Sequence, residues 1–374
     1  MRARELHIPL EGIPGALNAI TDVAGVEVGY KTVIRGESTE DTAASDAFAR
    51  TGVTAILPRG KRRSAVFAGR HDLNGNGELT GTHWMDDSGF LHGPILITNT
   101  NSVGIVRDSA AKWMIQNHFF YPSFRDGKEI AGLGYFYPVV GETFDGVLNN
   151  INGFQVSEQD VFDALMSASG GRIAEGNVGG GTGMRCHGFK GGTGTSSRLV
   201  EVLGKCYTLG VLVQANHGTR ERFSICGVPY GKLIQGYEQE IKSLAPKEGA
   251  GSIIVVVATD APLLPWQLSK LCKRVPIGIG ALGGGFENGS GDIFLAFSTA
   301  NENAFSYTMS KLEMLSDEQL DPFYAAVAQA TQEAILNAMF SAKSMYGRNR
   351  NFVPAIPLDQ VMDITQKYGK RYEI

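Results

Sequence analysis

Residues 247–262 read KEGAGSIIVVVATDAP and form the most strongly patterned segment of the chain. The run Ile253–Ala258 is apolar and rich in β-branched side chains, which predicts a buried strand. Gly249 and Gly251 stand just before it, and glycine permits backbone angles that other residues resist. The segment therefore predicts a bendable turn that delivers one hydroxyl residue, Ser252, to the mouth of a core strand.

The same segment has the composition that a self-cleaving precursor needs. The Ser252 hydroxyl would attack the Gly251 carbonyl, the chain would shift to an ester, and water would split that ester. Ser252 would then be a new N-terminus that carries a nucleophile and an amine base on one residue. A Gly-rich turn that simply leads into a core strand has the same pattern, so this segment alone leaves both interpretations open.

Length, charge and cysteine usage narrow the class of protein. Chains of 374 residues can form two domains, but α/β chains of this size can also share one core, and we expect a single domain over 1–374. The net charge of −4 argues against nucleic-acid and membrane-surface partners. The four cysteines form no C-x-x-C pair, so zinc and dithiol motifs are not expected. So few cysteines predict a protein of a reducing compartment.

The N-terminus carries charge without the apolar core of a secretory signal, and no stretch has the apolar length of a membrane span. These two observations predict a cytoplasmic protein.

Apolar periodicity and turn signals predict the elements. The predicted strands are Val23–Tyr30, Thr54–Leu57, Ser64–Phe67, Pro94–Asn101, Thr195–Leu203, Cys206–Gln214 and Ile293–Ser298, and the predicted helices are Asp108–Asn117, Ser157–Ser169, Pro262–Lys273, Pro322–Ala342 and Leu358–Tyr368. The polar, Gly- and Pro-punctuated segment Arg220–Gly249 is predicted to be a linker that approaches Ser252.

Two Gly-rich segments resemble ligand-binding motifs in part. His71–Glu78 (HDLNGNGE) begins like a calcium loop, but the twelfth position is His83 instead of a bidentate Glu, which favours a turn-rich loop lining a pocket. Gly176–Gly194 (GNVGGGTGMRCHGFKGGTG) does not meet the G-x-x-x-x-G-K-[ST] pattern and lacks the dinucleotide-binding context. We expect it to pack beneath an active site.

Polar residues at the ends of predicted elements are the other candidates. Asn216 follows a strand, where it could donate a hydrogen bond into a cleft or simply occupy a turn. Gly141–Gly146 (GETFDG) is predicted to be a turn with two carboxylates, either solvated or able to grip a substrate amine. Ser290 and Asp292 alternate at the period of a strand, which predicts that their side chains face the same side.

Several stretches together resemble one family. They are Asn76–Trp84 (NGELTGTHW), Gly141–Gly146, Gly188–Arg198 (GFKGGTGTSSR), Val213–Asn216 (VQAN), Gly251–Ile254 (GSII) and Ala258–Pro265 (ATDAPLLP). In this order they are similar to the L-aminopeptidase/D-amidase/D-esterase and β-peptidyl aminopeptidase family of self-processing serine hydrolases, peptidase family S58. The resemblance spans nearly the whole chain.

The resemblance implies an α/β (α+β) fold, a four-layer α-β-β-α sandwich like that of N-terminal-nucleophile hydrolases but with different strand connectivity. It implies a cut between Gly251 and Ser252 into a large subunit, 1–251, and a small subunit, 252–374. It also implies that the cut pairs form a homo-oligomer. The family's nucleophile falls on Ser252, its oxyanion-hole residue on Asn216, and its second serine and carboxylate on Ser290 and Asp292.

Two positions depart from the family pattern. Asp292 stands where β-peptide-cleaving members carry Glu, and Phe144 stands where they carry Tyr, which puts β-peptide cleavage in doubt more than hydrolysis itself. The resemblance makes Glu142 and Phe144 candidate substrate-binding residues, and Glu142 is a candidate for the carboxylate that holds the substrate amine.

The implied substrate is a short peptide, amide or ester with a free amine, and no metal or cofactor is expected. Two other functions stay open: acyl transfer, as in the ornithine acetyltransferases of similar fold, whose nucleophile is Thr, and small-molecule binding without catalysis.

Overall fold

Two β-sheets lie face to face at the centre of the protein, and helices cover the outer face of each sheet. The computed structural model describes residues 1–38, 48–134, 136–241 and 251–369. The strands are β1 (Glu27–Arg35), β2 (Ala49–Lys61), β3 (Val66–Gly75), β4 (Phe90–Leu91), β5 (Ile95–Asn99), β6 (Pro122–Arg125), β7 (Lys128–Gly134), β8 (Val139–Thr143), β9 (Arg185–Cys186), β10 (Phe189–Lys190), β11 (Gly192–Val202), β12 (Lys205–Asn216), β13 (Ser252–Thr259), β14 (Gly291–Ser298), β15 (Met345–Tyr346) and β16 (Phe352–Val353). The helices are α1 (Thr82–Ser88), α2 (Val103–Gln116), α3 (Glu158–Met166), α4 (Tyr230–Leu233), α5 (Pro265–Cys272), α6 (Val275–Ala281), α7 (Asp321–Phe340) and α8 (Leu358–Gly369).

The larger sheet has the strand order β11-β12-β13-β14-β3-β4, and the smaller has the order β1-β2-β5-β8. Most neighbouring strands are antiparallel, but β13 runs parallel to β14 in the larger sheet and β5 runs parallel to β8 in the smaller one. The strand β13 therefore lies inside the larger sheet, paired on both edges, as its continuous apolar sequence predicts.

Successive side chains of a strand point to opposite faces of the sheet, and in β13 both faces are apolar. Ile254 and Val256 of β13 face the space between the sheets, where they meet Ile56 and Ile97 of the smaller sheet. The intervening residues, such as Val255, face the opposite way. This period-two pattern makes both faces of the strand core.

The outer layers complete the sandwich. The helices α2 and α3 cover the smaller sheet, and α5, α6 and α7 cover the larger one. The predicted four-layer α-β-β-α arrangement is confirmed. Among the described residues, no helix combines the length and the apolarity needed to cross a bilayer.

Most predicted elements are present, with shifted ends. Val23–Tyr30 is strand only from Glu27 onward, and Asp108–Asn117 belongs to a helix that already begins at Val103. The predicted linker Arg220–Gly249 is wrong over its described part, because Phe223 and Tyr230 are buried in the core beside the larger sheet. Residues 242–249 lie outside the described residues.

The Gly-rich segment lies between the two sheets. A Cβ atom added at Gly180 would stand 2.1 Å from Oε1 of Gln214 in the larger sheet and 2.7 Å from the carbonyl oxygen of Ile97 in the smaller one. The Ile97 backbone and the buried Gln214 side chain leave no room for a Cβ atom here, so glycine is required at this position. The segment ends next to β12, the strand that carries Asn216.

Candidate active site

One cavity of about 670 Å³ opens at the end of the layer between the sheets. Its wall includes the loop after β3, the end of β8 and the start of β13. The lining residues are Gly75, Asn76, Gly77, Glu78, Thr100, Glu142, Phe144, Gly251, Ser252 and Gly289. The segment His71–Glu78 was predicted to be a loop that lines a pocket. Its second half, Gly75–Glu78, does line the cavity, whereas its first half belongs to strand β3.

Ser252 is the first residue of β13. Side chains two residues apart on a strand lie on the same face, so the Ser252 side chain points the same way as those of Ile254 and Val256, toward the space between the sheets. Its Oγ accepts a long hydrogen bond of 3.4 Å from the backbone N–H of Phe144. A hydroxyl that is otherwise presented to a cavity is available as a nucleophile.

Asn216 lies directly opposite Ser252, since the two residues are paired across β12 and β13. Its Nδ2 donates to the carbonyl oxygen of Phe144 at 2.9 Å, and its Oδ1 accepts from the backbone N–H of Arg185 at 2.8 Å. The two contacts fix which end of the amide carries the hydrogens. The backbone of Phe144 therefore connects the Asn216 amide to the Ser252 hydroxyl.

Gly251 is held on both sides. Its carbonyl oxygen accepts from the backbone N–H of Gly291 at 3.1 Å. A Cβ atom at position 251 would stand 1.8 Å from the carbonyl oxygen of Asn216, a separation that no side chain tolerates. Glycine is therefore required here by close backbone approach.

Ser290 and Asp292 face each other, and Ser290 Oγ donates to Asp292 Oδ1 at 2.6 Å. The residue between them, Gly291, is the strand partner of Ser252. Burial raises the pKa of Asp292 to about 6; the Ser290 hydroxyl lowers it, and nearby Glu287 adds to the rise. Among the described residues, no hydrogen bond joins this pair to Ser252, and neither residue belongs to the cavity wall.

Glu142 belongs to strand β8, so the predicted turn at this position is wrong. Its Oε1 accepts from the backbone N–H of Glu78 at 3.1 Å, and its Oε2 accepts from the Thr100 hydroxyl. Burial raises the pKa of Glu142, and the two hydrogen bonds oppose that rise. The strand thus presents an oriented, partly desolvated carboxylate to the cavity that contains Ser252.

The two carboxylates of this segment have separate environments. Asp145 is fully buried away from the cavity, where Asn149 Nδ2 donates to its Oδ1 at 3.1 Å. Burial raises the pKa of Asp145 to about 7. Within the described part of the wall, the ionisable side chains are Glu78 and Glu142, and Lys and Arg are absent. The cavity is therefore suited to a cation.

Sequence reasoning missed the residues that support these groups. The Phe144 backbone, the Thr100 hydroxyl and the Arg185 N–H each hold a candidate residue. The two backbone groups have no sequence signature, because backbone groups occur at every position. Thr100 carried one faint signal, since it lies in the polar end of the predicted strand Pro94–Asn101.

A model of peptidase family S58 matches residues 18–353, which is most of the chain. The chain belongs to peptidase family S58. The chain is also similar to two curated relatives, both called beta-peptidyl aminopeptidase BapA. The one from Sphingosinicella microcystinivorans is 46% identical over 383 residues, covering 99% of this chain and 93% of that protein. The one from Sphingosinicella xenopeptidilytica is 43% identical, covering 97% and 90%.

A solved structure extends the S58 comparison to the fold. The L-aminopeptidase D-Ala-esterase/amidase from Ochrobactrum anthropi is 44% identical, with a TM-score of 0.88 over 98% of this chain and 99% of that one. That protein is described as a prototype for serine aminopeptidases and a variant of the Ntn hydrolase fold. The S58 chain is accordingly an enzyme of the aminopeptidase and amidase class, and neither acyl transfer nor non-enzymatic binding is favoured.

Proposed function

We propose that this enzyme cleaves itself before Ser252 and then releases N-terminal residues from short peptides, amino-acid amides or esters. One observation carries the proposal: Ser252 and the oriented carboxylate of Glu142 line the same cavity. A nucleophile and an amine-binding group in one cavity define a substrate whose scissile carbonyl lies close to a free amine.

The proposed reaction has two halves. The Ser252 Oγ attacks the substrate carbonyl and transfers its proton to a base, and the leaving amine departs with a proton. Water then hydrolyses the ester on Ser252. Asn216 Nδ2 donates to the oxyanion that develops in both halves, since a donor oriented in advance stabilises the transition state.

Self-cleavage would use the same hydroxyl on the preceding carbonyl. The Gly291 N–H already donates to the Gly251 oxygen, so it can stabilise the negative charge that attack creates there. The products would be a large subunit of residues 1–251 and a small subunit of residues 252–374. A homo-oligomer of such cut pairs stays a prediction.

Gly251→Ala is expected to block self-cleavage, because its methyl group would collide with the Asn216 carbonyl oxygen and displace the scissile bond. Gel electrophoresis of freshly purified protein should show an uncut chain. Gly280→Ala is the matched control, since a Cβ there meets no atom within 4 Å. Normal cutting in the Gly251→Ala protein would contradict the proposed geometry of the bond.

Glu142 would bind the substrate ammonium group. Glu142→Gln keeps the shape and the acceptor oxygen but removes the charge, and a hydrogen bond to a charged group contributes about 1.5–3 kcal/mol. We expect kcat/KM for amino-acyl amides with a free amine to fall by about 10- to 100-fold. The measurement compares each amide with its N-acetylated form, which Glu142 should exclude in the parent enzyme.

Glu78→Gln is the control for this substitution, because Glu78 lines the same cavity but is exposed to solvent. Removing the Glu78 charge should change kcat/KM by less than about fivefold. Equal effects of the two substitutions would mean that the cavity attracts cations only by its overall charge, and would remove Glu142 from the amine-binding role. A panel of L-, D- and β-aminoacyl amides would assign the preferred substrate.

The proton acceptor is either the amine that cleavage would free on Ser252 or the Ser290–Asp292 pair. The amine is favoured, because it belongs to the same residue as Oγ and the pair lies outside the described cavity wall. A free α-amine titrates at about 7.7–8.0 in peptides, and it accepts protons only above its pKa.

We therefore expect kcat to rise with pH through about 7–8, with the same midpoint in Asp292→Asn. The pH profile of both enzymes measures this. A rise near pH 6 that disappears in Asp292→Asn would instead assign the base to Asp292, whose pKa is raised to about 6 by burial.

A further inference from the structure

A second cluster of reactive side chains lies beyond Asn216, outside the described cavity wall. Cys186, His187 and His217 are all buried, and one potential ligand atom from each lies within 4.8 Å of the other two. The proposed reaction uses none of them. Cys186 Sγ and His217 Nδ1 are 3.8 Å apart.

The backbone holds this cluster in an uncommon arrangement. His187 begins the two-residue turn between β9 and β10 with a φ of 48°, in the left-handed region that residues with a Cβ rarely adopt. Its N–H donates to the carbonyl oxygen of His217 at 2.8 Å. The turn therefore places the His187 ring beside the His217 ring, with the two ring centroids 5.2 Å apart.

Both imidazoles have an unused buried nitrogen. Nε2 of His187 and Nε2 of His217 have no hydrogen-bond partner among the described residues. Nδ1 of His187 lies 3.3 Å from the carbonyl oxygen of Thr219, so a proton on Nδ1 leaves the buried Nε2 lone pair free to bind an ion. A histidine that binds a metal through one nitrogen commonly donates the other to a backbone carbonyl in this way.

We propose that Cys186, His187 and His217 bind one soft d¹⁰ metal ion, of the type of monovalent copper. Thiolate and imidazole ligands suit copper and zinc. With one thiolate and two neutral imidazoles, a monovalent ion gives an uncharged complex, whereas a divalent ion leaves a buried positive charge, which is costly. Among the described residues the cluster has three such ligands and no fourth His, Cys, Asp or Glu, which suits trigonal monovalent copper better than tetrahedral zinc.

Binding requires small movements and releases one proton. Ligand atoms around a trigonal ion are separated by roughly 3.5–4.0 Å, given metal–ligand distances of about 2.0–2.3 Å. Cys186 Sγ and His217 Nδ1 already meet this separation at 3.8 Å, so His217 would bind the ion through Nδ1 and not through its unpartnered Nε2. The remaining atoms must approach by up to about 1 Å. The ion replaces the thiol proton, which leaves to solvent, and no electron is transferred.

The position of the site gives it a role. His217 follows Asn216 in the chain, and Cys186 follows Arg185, whose N–H donates to the Asn216 side chain. An ion would therefore tie the β9–β10 turn to the end of β12 on both sides of Asn216. We infer that it positions the amide that faces Ser252.

The test uses the full chain with Cys206→Ser and Cys226→Ser, which removes the exposed and the half-exposed thiol. Monovalent copper, kept reduced with ascorbate, is offered in competition with bicinchoninate, and zinc is offered in parallel. We expect this parent to take up about one copper ion per chain. Adding Cys186→Ser or His217→Gln should lower the copper affinity by more than about 100-fold.

Matched controls are Cys272→Ser and His92→Gln, which replace a buried thiol and a buried imidazole far from the cluster in sequence. Both should retain parental copper binding. The proposal is overturned if the parent takes no copper, if it prefers zinc, or if Cys186→Ser binds as tightly as the parent. Should a variant fail to fold by circular dichroism, X-ray absorption of the copper-loaded parent decides: one sulfur and two nitrogen neighbours support the site, and any other ligand set refutes it.

Discussion

Replacing Ser252 with alanine is expected to give one uncut chain that hydrolyses no amide or ester. The substitution removes the only atom that the proposal uses as a nucleophile, in self-cleavage and in catalysis alike. The fold should survive, since among the described residues the one hydrogen bond of Oγ is the 3.4 Å contact with the Phe144 N–H, and alanine keeps the Cβ atom and removes only the oxygen. Denaturing gels and mass spectrometry measure the cut, and an amino-acyl amide assay measures the activity.

Ser298→Ala is the matched control, because Ser298 is also a buried serine at the end of a strand in the larger sheet, β14. It should be cut and active. Two fragments in the Ser252→Ala protein would disprove the assigned bond. In the parent, mass spectrometry should find a polypeptide that begins at residue 252.

Replacing Asn216 with alanine is expected to lower kcat by about 10²–10³ with little change in KM. Loss of one oxyanion donor typically costs about 2.7–4 kcal/mol of transition-state stabilisation. The donor contributes little to ground-state binding, which is why KM should change little. Because the substitution can also slow self-cleavage, kcat is to be expressed per cut chain.

The control must separate lost catalysis from lost packing. Asn337 is a buried asparagine that donates to the Thr195 carbonyl and accepts from the Ala3 N–H, so Asn337→Ala removes the same two kinds of contact in helix α7. It should lower the melting temperature while leaving kcat near the parental value. A change confined to KM in Asn216→Ala would rule out the oxyanion role.

Much of the fold could be predicted where one pattern extends over many residues. The β-branched run Ile253–Ala258 and the long apolar stripe of α7 each specify an element almost completely. The short helix α6 (VPIGIGA) was missed, because its two internal glycines resemble turn signals. Its stability comes from packing against α7, which local sequence does not encode.

In the candidate site, too, contacts within one strand could be predicted and contacts between distant segments could not. The pairing of Ser290 with Asp292 follows from strand periodicity, and the structure brings their side chains into hydrogen-bond contact. The juxtaposition of Glu142 with Ser252 depends on how the two sheets stack, so only a resemblance could suggest it. The support from the Phe144 backbone could not be foreseen, because it is a main-chain contact between distant segments.

The position of the proposed cut within the larger sheet has a consequence for refolding. β13 and β14 would belong to the small subunit, but their outer neighbours β12 and β3 would belong to the large one. The two pieces would remain joined by two complete strand ladders, so parting them would mean unfolding the sheet. Once nicked, the denatured enzyme could regain its shape only through an encounter of two molecules, and its melting temperature would become concentration-dependent.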